Sequence, residues 1–277
     1  MSRARFLCGR RPMSSLFFPP SLLAVAGGAE PARTVAANLY FDEDNMGSTT
    51  VDRVPCALFI GNSLTFWNKG IFKHIQPLGP FNGEESTIGG ATLRVHMNAG
   101  KSMKAIARGG WDFVVIQDDL PEYESKGEAR SEFLSLAEQY INAARAVDAT
   151  AVMYMAWPYE RLARMPLNLI VELHRDLARK TGVAVAPVGI AFGLASERAA
   201  SVGEPANFLL DRDQEHPSAA GTFLATIVIF RAMTGRDAHE DSGLTQRPLK
   251  GNVSPKVEAM LRQVAKDAAS AWAASLS

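Results

Sequence analysis

Two separated segments of the chain carry the three functional groups of a serine hydrolase. The apolar run at residues 57–60 ends at Gly61 and is followed by Ser63, and far downstream Asp213 stands three residues before His216. Serine is a poor nucleophile at neutral pH until a base takes its proton, and histidine serves best as that base when an acid holds its tautomer. Hydroxyl, imidazole and carboxylate together therefore predict nucleophilic catalysis.

Each of these residues also has a purely structural explanation. A serine after a strand often caps the next helix by accepting a backbone N–H, and the segment 213–218 is equally typical of a loop that leads into a helix. Asp211 and Glu215 are rival acids for the histidine. Thr65 stands where a Gly-x-Ser-x-Gly elbow requires its last glycine, which argues against the α/β-hydrolase fold but not against serine catalysis.

Two further features could stabilise a developing oxyanion. A backbone N–H in the glycine pair Gly89-Gly90 could point at it, although the pair could also serve only to permit a tight turn. Gln117 directly ends the apolar run Val114-Val115-Ile116. A polar amide in that position has to find partners or face a pocket, because burying it unpaired costs a few kcal/mol.

The pattern of the rest of the chain predicts the elements that position these residues. Short apolar runs typical of strands buried on both faces occupy residues 57–60, 113–116, 151–155 and 183–188, with a weaker run at 85–88. Helical patterns occupy residues 102–108, 128–147, 167–180, 219–233 and 255–274. Alternating strands and helices predict an α/β fold, a three-layer α/β/α sandwich with a five-stranded parallel sheet.

Parallel strands bring their carboxyl ends to one edge of a sheet, which is where such folds bind ligands. Ser63, Gln117, Trp157 and the pair Gly89-Gly90 each follow a predicted strand, so we expect them to converge there. The aromatic side chains near this cleft (Phe66, Trp67 and Trp157) could stack on sugar rings, but core packing is the favoured interpretation. His96 could also line the cleft.

Composition narrows the class of function. The chain has 277 residues, 47% of them hydrophobic, and 29 basic residues balance 29 acidic ones. A balanced charge gives no reason to expect nucleic acid as a partner, and the absence of an apolar stretch of about 18 residues argues against an integral membrane segment. Two cysteines, Cys8 and Cys56, make no disulfide framework, and a bridge between them is not expected. Neither cysteine has the spacing of metal ligands, so we expect no metal.

The amino-terminal part differs from the rest. Arginines at positions 3, 5, 10 and 11 precede an apolar segment at 16–26, which is typical of a signal peptide. An organellar transit segment, a disordered tail, or a start at Met13 are the alternatives. We therefore divide the chain into a leader or tail at 1–37, an irregular linker at 38–52 and a catalytic-type domain at 53–277. Export to the periplasm or medium is expected, with a cytoplasmic location as the alternative.

Taken together, these segments resemble the SGNH hydrolases, also called GDSL-like esterases and lipases. Gly61-Asn62-Ser63-Leu64-Thr65 is similar to their first block, which carries the nucleophile. Gly90, with Gly89 as the alternative, fits the oxyanion-hole glycine of the second block, and Asp213-x-x-His216 fits the fifth. The third block usually supplies an asparagine where this chain has Gln117, so the chain resembles a divergent branch. The resemblance extends from about residue 57 to residue 235.

The resemblance implies a flavodoxin-like fold and ester hydrolysis without a cofactor, with a small-molecule or glycan ester as the partner. Ser63 would attack the acyl carbon, His216 would act as base and then as acid, and Asp213 would orient the imidazole. The backbone N–H groups of Ser63 and Gly90 and the Gln117 amide would form the oxyanion hole.

These residues predict a carboxylic ester hydrolase. The resemblance further implies short acyl groups such as acetyl, with carbohydrate esters as candidate substrates. A different hypothesis, motivated by Gln117, is a catalytically weak or inactive domain that binds a sugar or polymer on the same fold. Acyl transfer to another hydroxyl would use identical residues, and it differs only in how well water is excluded.

Overall fold

One five-stranded parallel sheet forms the centre of the fold. The computed structural model describes residues 54–79, 81–162, 164–238 and 253–277. Its strands are β1 (Cys56–Gly61), β2 (Asn82–Thr87), β3 (Phe113–Ile116), β4 (Thr150–Tyr154) and β5 (Ala184–Ala186), in the spatial order β2-β1-β3-β4-β5 with every neighbouring pair parallel. Strand β1 therefore lies between β2 and β3, and the carboxyl ends of all three meet at one edge.

Helices cover both faces of this sheet. In chain order they are α1 (Ser63–Phe66), α2 (Ile71–Ile75), α3 (Leu93–Ala99), α4 (Lys101–Ala107), α5 (Lys126–Arg145), α6 (Leu167–Thr181), α7 (Val188–Val202), α8 (Ala219–Thr234) and α9 (Pro255–Leu276). Three short 3₁₀ segments lie at Trp67–Lys69, Gln76–Leu78 and Leu120–Glu122. The predicted three-layer α/β/α sandwich with five parallel strands is confirmed.

Two hydrophobic clusters, one on each face, hold the layers together. Side chains alternate along a strand, so Phe59 of β1 packs into the cluster with α2, α7, α8 and α9, whereas Leu58 and Ile60 pack into the cluster with α3 to α6. All six residues of β1 are buried. Helix α8 is buried on nearly every side, as its uniformly apolar sequence predicted. The strand that leads to Ser63 is therefore anchored from both faces.

The predicted strand over 183–188 is too long. Strand β5 ends at Ala186, Pro187 follows, and helix α7 begins at Val188. Proline has no N–H to give to a sheet ladder, and it is tolerated at a helix start where that N–H would have no partner. The apolar run thus spans a strand and the first turn of a helix. Helices α3 and α7 were not among the predicted elements.

Some sequence-based predictions concern the ends of the chain. Residues 1–53 lie outside the described residues, so the leader, the linker and the expected export stay predictions. Within the described ranges, no helix is both long and apolar enough to cross a membrane. The expectation about a bridge between Cys8 and Cys56 falls on Cys8, which lies outside the described residues.

Candidate active site

Ser63 is the first residue of the one-turn helix α1, directly beyond the carboxyl end of β1. The helix cap is Asn62 rather than Ser63, because Asn62 Oδ1 accepts a hydrogen bond from the Leu64 N–H at 2.9 Å. The structural role that the sequence allows for Ser63 is thus filled by its neighbour. The Ser63 hydroxyl instead contacts His216.

The side chain of Gln117 holds the turn that carries Ser63 by hydrogen bonds. Its Oε1 accepts hydrogen bonds from the Asn62 N–H at 2.8 Å and from the Thr65 hydroxyl at 3.1 Å, and its Nε2 donates to the Asp118 carbonyl at 2.9 Å. The side chain is fully buried. A donor to an oxyanion has to face the cleft, so the oxyanion role predicted for Gln117 would require this amide to leave the bonds it makes here.

Gly61 is required at the end of β1 because of close packing. A Cβ atom at this position would lie 2.3 Å from Thr65 Oγ1 and 2.4 Å from Gln117 Oε1, far inside van der Waals contact. Only a residue without a side chain leaves room for the Thr65–Gln117 hydrogen bond. The glycine that opens the serine segment is therefore explained by packing.

A buried acid completes the support of the turn. Asp119 Oδ2 accepts a hydrogen bond from Asn62 Nδ2 at 2.5 Å, and its Oδ1 accepts one from the Tyr159 hydroxyl at 2.8 Å. Burial raises the pKa of Asp119 to about 7, and the hydrogen bonds from Tyr159 and Asn62 only partly offset this effect. Burial also raises the pKa of its neighbour Asp118 to about 6. Neither Asp119 nor the capping role of Asn62 was predicted from the sequence.

The imidazole of His216 lies between the serine and an acid. His216 Nε2 is 2.8 Å from Ser63 Oγ, and Nδ1 is 2.7 Å from Asp213 Oδ2. In the arrangement that serves catalysis, Nδ1–H donates to the carboxylate and Nε2 accepts from the hydroxyl, since a base has to present its free lone pair to the nucleophile. Residues 153 positions apart in the chain are thus brought into hydrogen-bond contact.

The loop that carries His216 is shaped by the same acid. Asp213 Oδ1 accepts hydrogen bonds from the backbone N–H groups of Glu215 at 3.0 Å and His216 at 2.9 Å. Partial burial works to raise the pKa of Asp213, but the hydrogen bonds from the His216 ring and backbone lower it below its ordinary value. The side chain is 46% exposed, whereas that of His216 is 17% exposed.

The rival acids have other partners. The Asp211 carboxylate accepts from the backbone N–H of Arg212, and the Glu215 carboxylate accepts from Arg161 Nε at 2.6 Å. Asp213 is therefore the acid that the fold places on the imidazole. The two loops that carry Ser63 and His216 are also linked by Asn68, whose Nδ2 donates to the Pro217 carbonyl at 2.8 Å.

The glycine pair lies in an exposed turn between β2 and α3. Gly90 has φ +62°, and a Cβ at this position would meet nothing within 4 Å. The turn adjoins the nucleophile segment, because the Ile88 N–H donates to the Gly61 carbonyl at 3.1 Å. This bond joins the residue after β2 to the last residue of β1, and the oxyanion role of Gly90 stays a prediction.

The other candidates have structural surroundings. His96 is buried, and its Nε2 donates to the Gly61 carbonyl at 3.0 Å, so it supports the end of β1 rather than lining a cleft. Trp157 is 2% exposed and stacks on Phe192, in agreement with core packing. Trp67 differs from that expectation, since it is only half-buried and stacks on His216. Among the described residues, no group of three or more His, Cys, Asp or Glu side chains could hold a metal ion.

Comparison with known proteins gives matches of structure. No protein-family model matches this sequence. No curated protein matches it either. A protein from Slackia heliotrinireducens, provisionally assigned as an SGNH hydrolase, is 26% identical with a TM-score of 0.54, and the match covers 65% of this chain and 99% of that one.

Two further solved structures share the fold at lower identity. A DUF4886 family protein from Bacteroides uniformis is 19% identical with a TM-score of 0.57, and the match covers 78% of this chain and 94% of that one. A lipase/acylhydrolase from Enterococcus faecalis is 13% identical with a TM-score of 0.52, and the match covers 66% of this chain and 97% of that one. The resemblance drawn from the sequence motifs is thus confirmed: the chain has the fold of the SGNH hydrolases.

Proposed function

We propose that this protein is a serine-dependent carboxylic ester hydrolase in which Ser63 is the nucleophile, His216 the general base and Asp213 the orienting acid. The observation that carries the proposal is the hydrogen-bonded line from Ser63 Oγ through the imidazole to Asp213, with contacts of 2.8 Å and 2.7 Å. The SGNH hydrolase fold supports it, because the site lies at the carboxyl edge of the sheet.

In the first half of the reaction, Ser63 Oγ attacks the acyl carbon while His216 Nε2 takes its proton. The imidazolium that forms is stabilised by Asp213, and it then gives the proton to the departing alkoxide as the ester bond breaks. In the second half, His216 takes a proton from water, whose oxygen attacks the acyl-enzyme and releases the carboxylic acid. Ser63 regains its proton from His216.

The proposed oxyanion hole consists of the backbone N–H groups of Ser63 and Gly90. The Ser63 N–H lies between two N–H groups that already have partners, since Asn62 donates to Gln117 and Leu64 donates to the Asn62 side chain. Removing one such donor typically lowers the rate by about 100- to 1,000-fold. In this proposal Gln117 contributes by holding the turn that aims the Ser63 N–H.

The proposed substrates carry short acyl groups such as acetyl, with acetylated carbohydrates among them. The half-buried ring of Phe66 supports a short acyl group, because it reaches to 3.9 Å from the position of a Cβ on Gly89. Aromatic bulk therefore stands beside the glycine turn, where a long acyl chain would need space.

The test of the reaction compares three proteins with p-nitrophenyl acetate. We expect wild type and the exposed control Ser131→Ala to turn over alike, and Ser63→Ala to lose at least 1,000-fold in kcat/KM. A fluorophosphonate probe should label the first two proteins and leave Ser63→Ala unlabelled. Equal turnover by Ser63→Ala and wild type would refute the proposal, and an unlabelled wild type would point to the binding domain instead.

The test of the substrate class uses p-nitrophenyl esters of two, four and eight carbons, and a peracetylated monosaccharide. We expect kcat/KM to fall as the acyl chain lengthens. A preference for the eight-carbon ester would overturn the short-acyl part of the proposal while leaving the catalytic residues in place.

A further inference from the structure

An indole ring lies flat on the candidate general base. The rings of Trp67 and His216 are stacked with centroids 3.9 Å apart and an angle of 21° between their planes. Trp67 directly follows helix α1, four residues after Ser63. The turn that presents the nucleophile therefore also presents an aromatic face to the base.

Three contacts define the orientation of the imidazole. Its Nε2 faces Ser63, its Nδ1 faces Asp213 and one face of the ring lies against Trp67. The Asp213 side chain is 46% exposed, so water screens its charge and competes for its hydrogen bonds. Because water weakens the interaction between Asp213 and the imidazole, the stacked indole contributes more to holding the imidazole than it would beside a buried carboxylate.

The backbone after Trp67 is held in a rare conformation. Asn68 has φ +51° and ψ 38°, in the left-handed region that asparagine enters more readily than most residues. Its Nδ2 donates to the Pro217 carbonyl at 2.8 Å and to Thr222 Oγ1 at 2.7 Å, and its carbonyl accepts from His74 Nε2 at 2.7 Å. These bonds tie the indole to the loop next to His216, so the stacking geometry is determined from both sides.

The acidic side chains in the loop that carries His216 have defined partners. Asp213 contacts the ring directly, while the Glu215 carboxylate is held by Arg161, which also pairs with Glu122. The electron-rich face of an indole attracts a cation placed over it. When His216 takes the proton of Ser63 it becomes such a cation.

We propose that Trp67 is a positioning residue for His216: its indole face fixes the plane of the imidazole and stabilises the imidazolium that forms as Ser63 loses its proton. The proposal rests on the ester hydrolase function proposed above, since it concerns the base of that reaction. The favourable interaction of a cation with an indole face corresponds to about 3- to 30-fold in rate.

Kinetics with p-nitrophenyl acetate test the role in catalysis. We expect Trp67→Leu to lower kcat by about 10- to 30-fold with KM changed less than threefold, and Trp67→Phe to recover most of that loss because a smaller aromatic face remains. The matched control is Trp272→Leu, the same substitution in the last helix, where the tryptophan packs in a hydrophobic cluster and has no part in the candidate site, and it should keep kcat within threefold. A wild-type kcat in Trp67→Leu, or a kcat in Trp67→Phe as low as that in Trp67→Leu, would overturn the proposal.

Fluorescence supplies a second readout that needs no turnover. A histidine ring in contact with an indole quenches its emission, so at a single pH the replacement of His216 should raise the emission of Trp67. We expect His216→Asn to emit more strongly than the wild type, and the same replacement to change nothing in a protein that already carries Trp67→Phe; all of these proteins keep the other three tryptophans. An equal increase in the Trp67→Phe background would refute the stacking. If the wild type hydrolyses no ester yet the increase depends on Trp67, the proposed function fails and the contact stands.

Discussion

The acid of the site offers a sharp test, because replacing Asp213 by asparagine should be worse than removing its side chain. Asp213 Oδ2 accepts from His216 Nδ1 at 2.7 Å, and Oδ1 accepts two backbone N–H groups. An asparagine can keep the backbone bonds through its oxygen, which places its NH₂ group against Nδ1. Nδ1 then has to accept, so Nε2 carries the proton and cannot take one from Ser63.

The magnitudes follow from that geometry and from solvent exposure. A wrong tautomer lowered kcat by about 10,000-fold in the serine protease for which the effect was established, and we expect a loss of about 1,000- to 10,000-fold in Asp213→Asn. In Asp213→Ala, water can accept from Nδ1 because this side of the ring is open, as the 46% exposure of the carboxylate shows. The imidazole loses one charge-assisted hydrogen bond of about 1.5 to 3 kcal/mol, which corresponds to about 10- to 200-fold in rate. The backbone N–H groups of Glu215 and His216 also lose their acceptor, and water can replace it on this exposed side.

The assay is kcat for p-nitrophenyl acetate at pH 7 to 8, with circular dichroism to show that both variants are folded. Asp211→Asn is the control, since its carboxylate accepts from the Arg212 backbone and not from the imidazole. Should Asp213→Ala prove less active than Asp213→Asn, the tautomer argument is wrong. Should neither variant lose more than threefold, Asp213 does not support the base.

Three further predictions concern the support of the nucleophile turn. Burial raises the pKa of Asp119 to about 7 in the folded protein, whereas in the unfolded chain the side chain ionises near its ordinary pKa of 3.8. Its contribution to the free energy of unfolding therefore falls as the pH rises from about 4 to 7. In urea unfolding, the wild type should lose about 2 to 3 kcal/mol more stability between pH 5 and pH 8 than Asp119→Asn loses. A pH dependence identical in the two proteins would contradict the burial argument. Gln117→Leu leaves the buried Asn62 N–H and Thr65 hydroxyl without their acceptor, so it should lower the free energy of unfolding by about 2 to 5 kcal/mol, and a loss below 1 kcal/mol would show that the amide is dispensable. Gly61→Ala would place a Cβ 2.4 Å from Gln117 Oε1, and the forced shift of the turn should reduce kcat/KM at least tenfold; an unchanged kcat/KM would mean that the turn tolerates the methyl group.

Much of the fold could be predicted from short-range pattern. Buried strands in a parallel sheet are apolar on both faces, and this property marked β1, β3 and β4 to within one residue at each end. The edge strand β2 is less buried and gave a weaker signal, which extended one residue past its observed end. The predicted strand boundary was wrong at Pro187, because an apolar run does not show where a strand ends and a buried helix begins.

The candidate site was only partly predictable. The spacing of Asp213 and His216 indicated an acid and a base in one turn, and the structure supplies the turn that lets both Asp213 oxygens bond to residues 215 and 216. Which of three nearby acids reaches the ring depended on the path of the backbone, since the Glu215 carboxylate is bound by Arg161 from a different part of the chain.

The amino-acid sequence by itself determined the layered α/β fold, the edge of the sheet at which the site lies, and the types of residue that can do its chemistry. These properties follow from local periodicity and from the geometry of parallel strands, and a change of a few residues would leave both in place. Only the tertiary structure decided that Asn62 caps the helix, that the Gln117 side chain accepts a hydrogen bond from the backbone of the serine turn, and that Trp67 stacks on His216. Each of these is a contact between segments far apart in the chain or a choice between neighbouring polar groups, and such contacts depend on packing that no local pattern encodes.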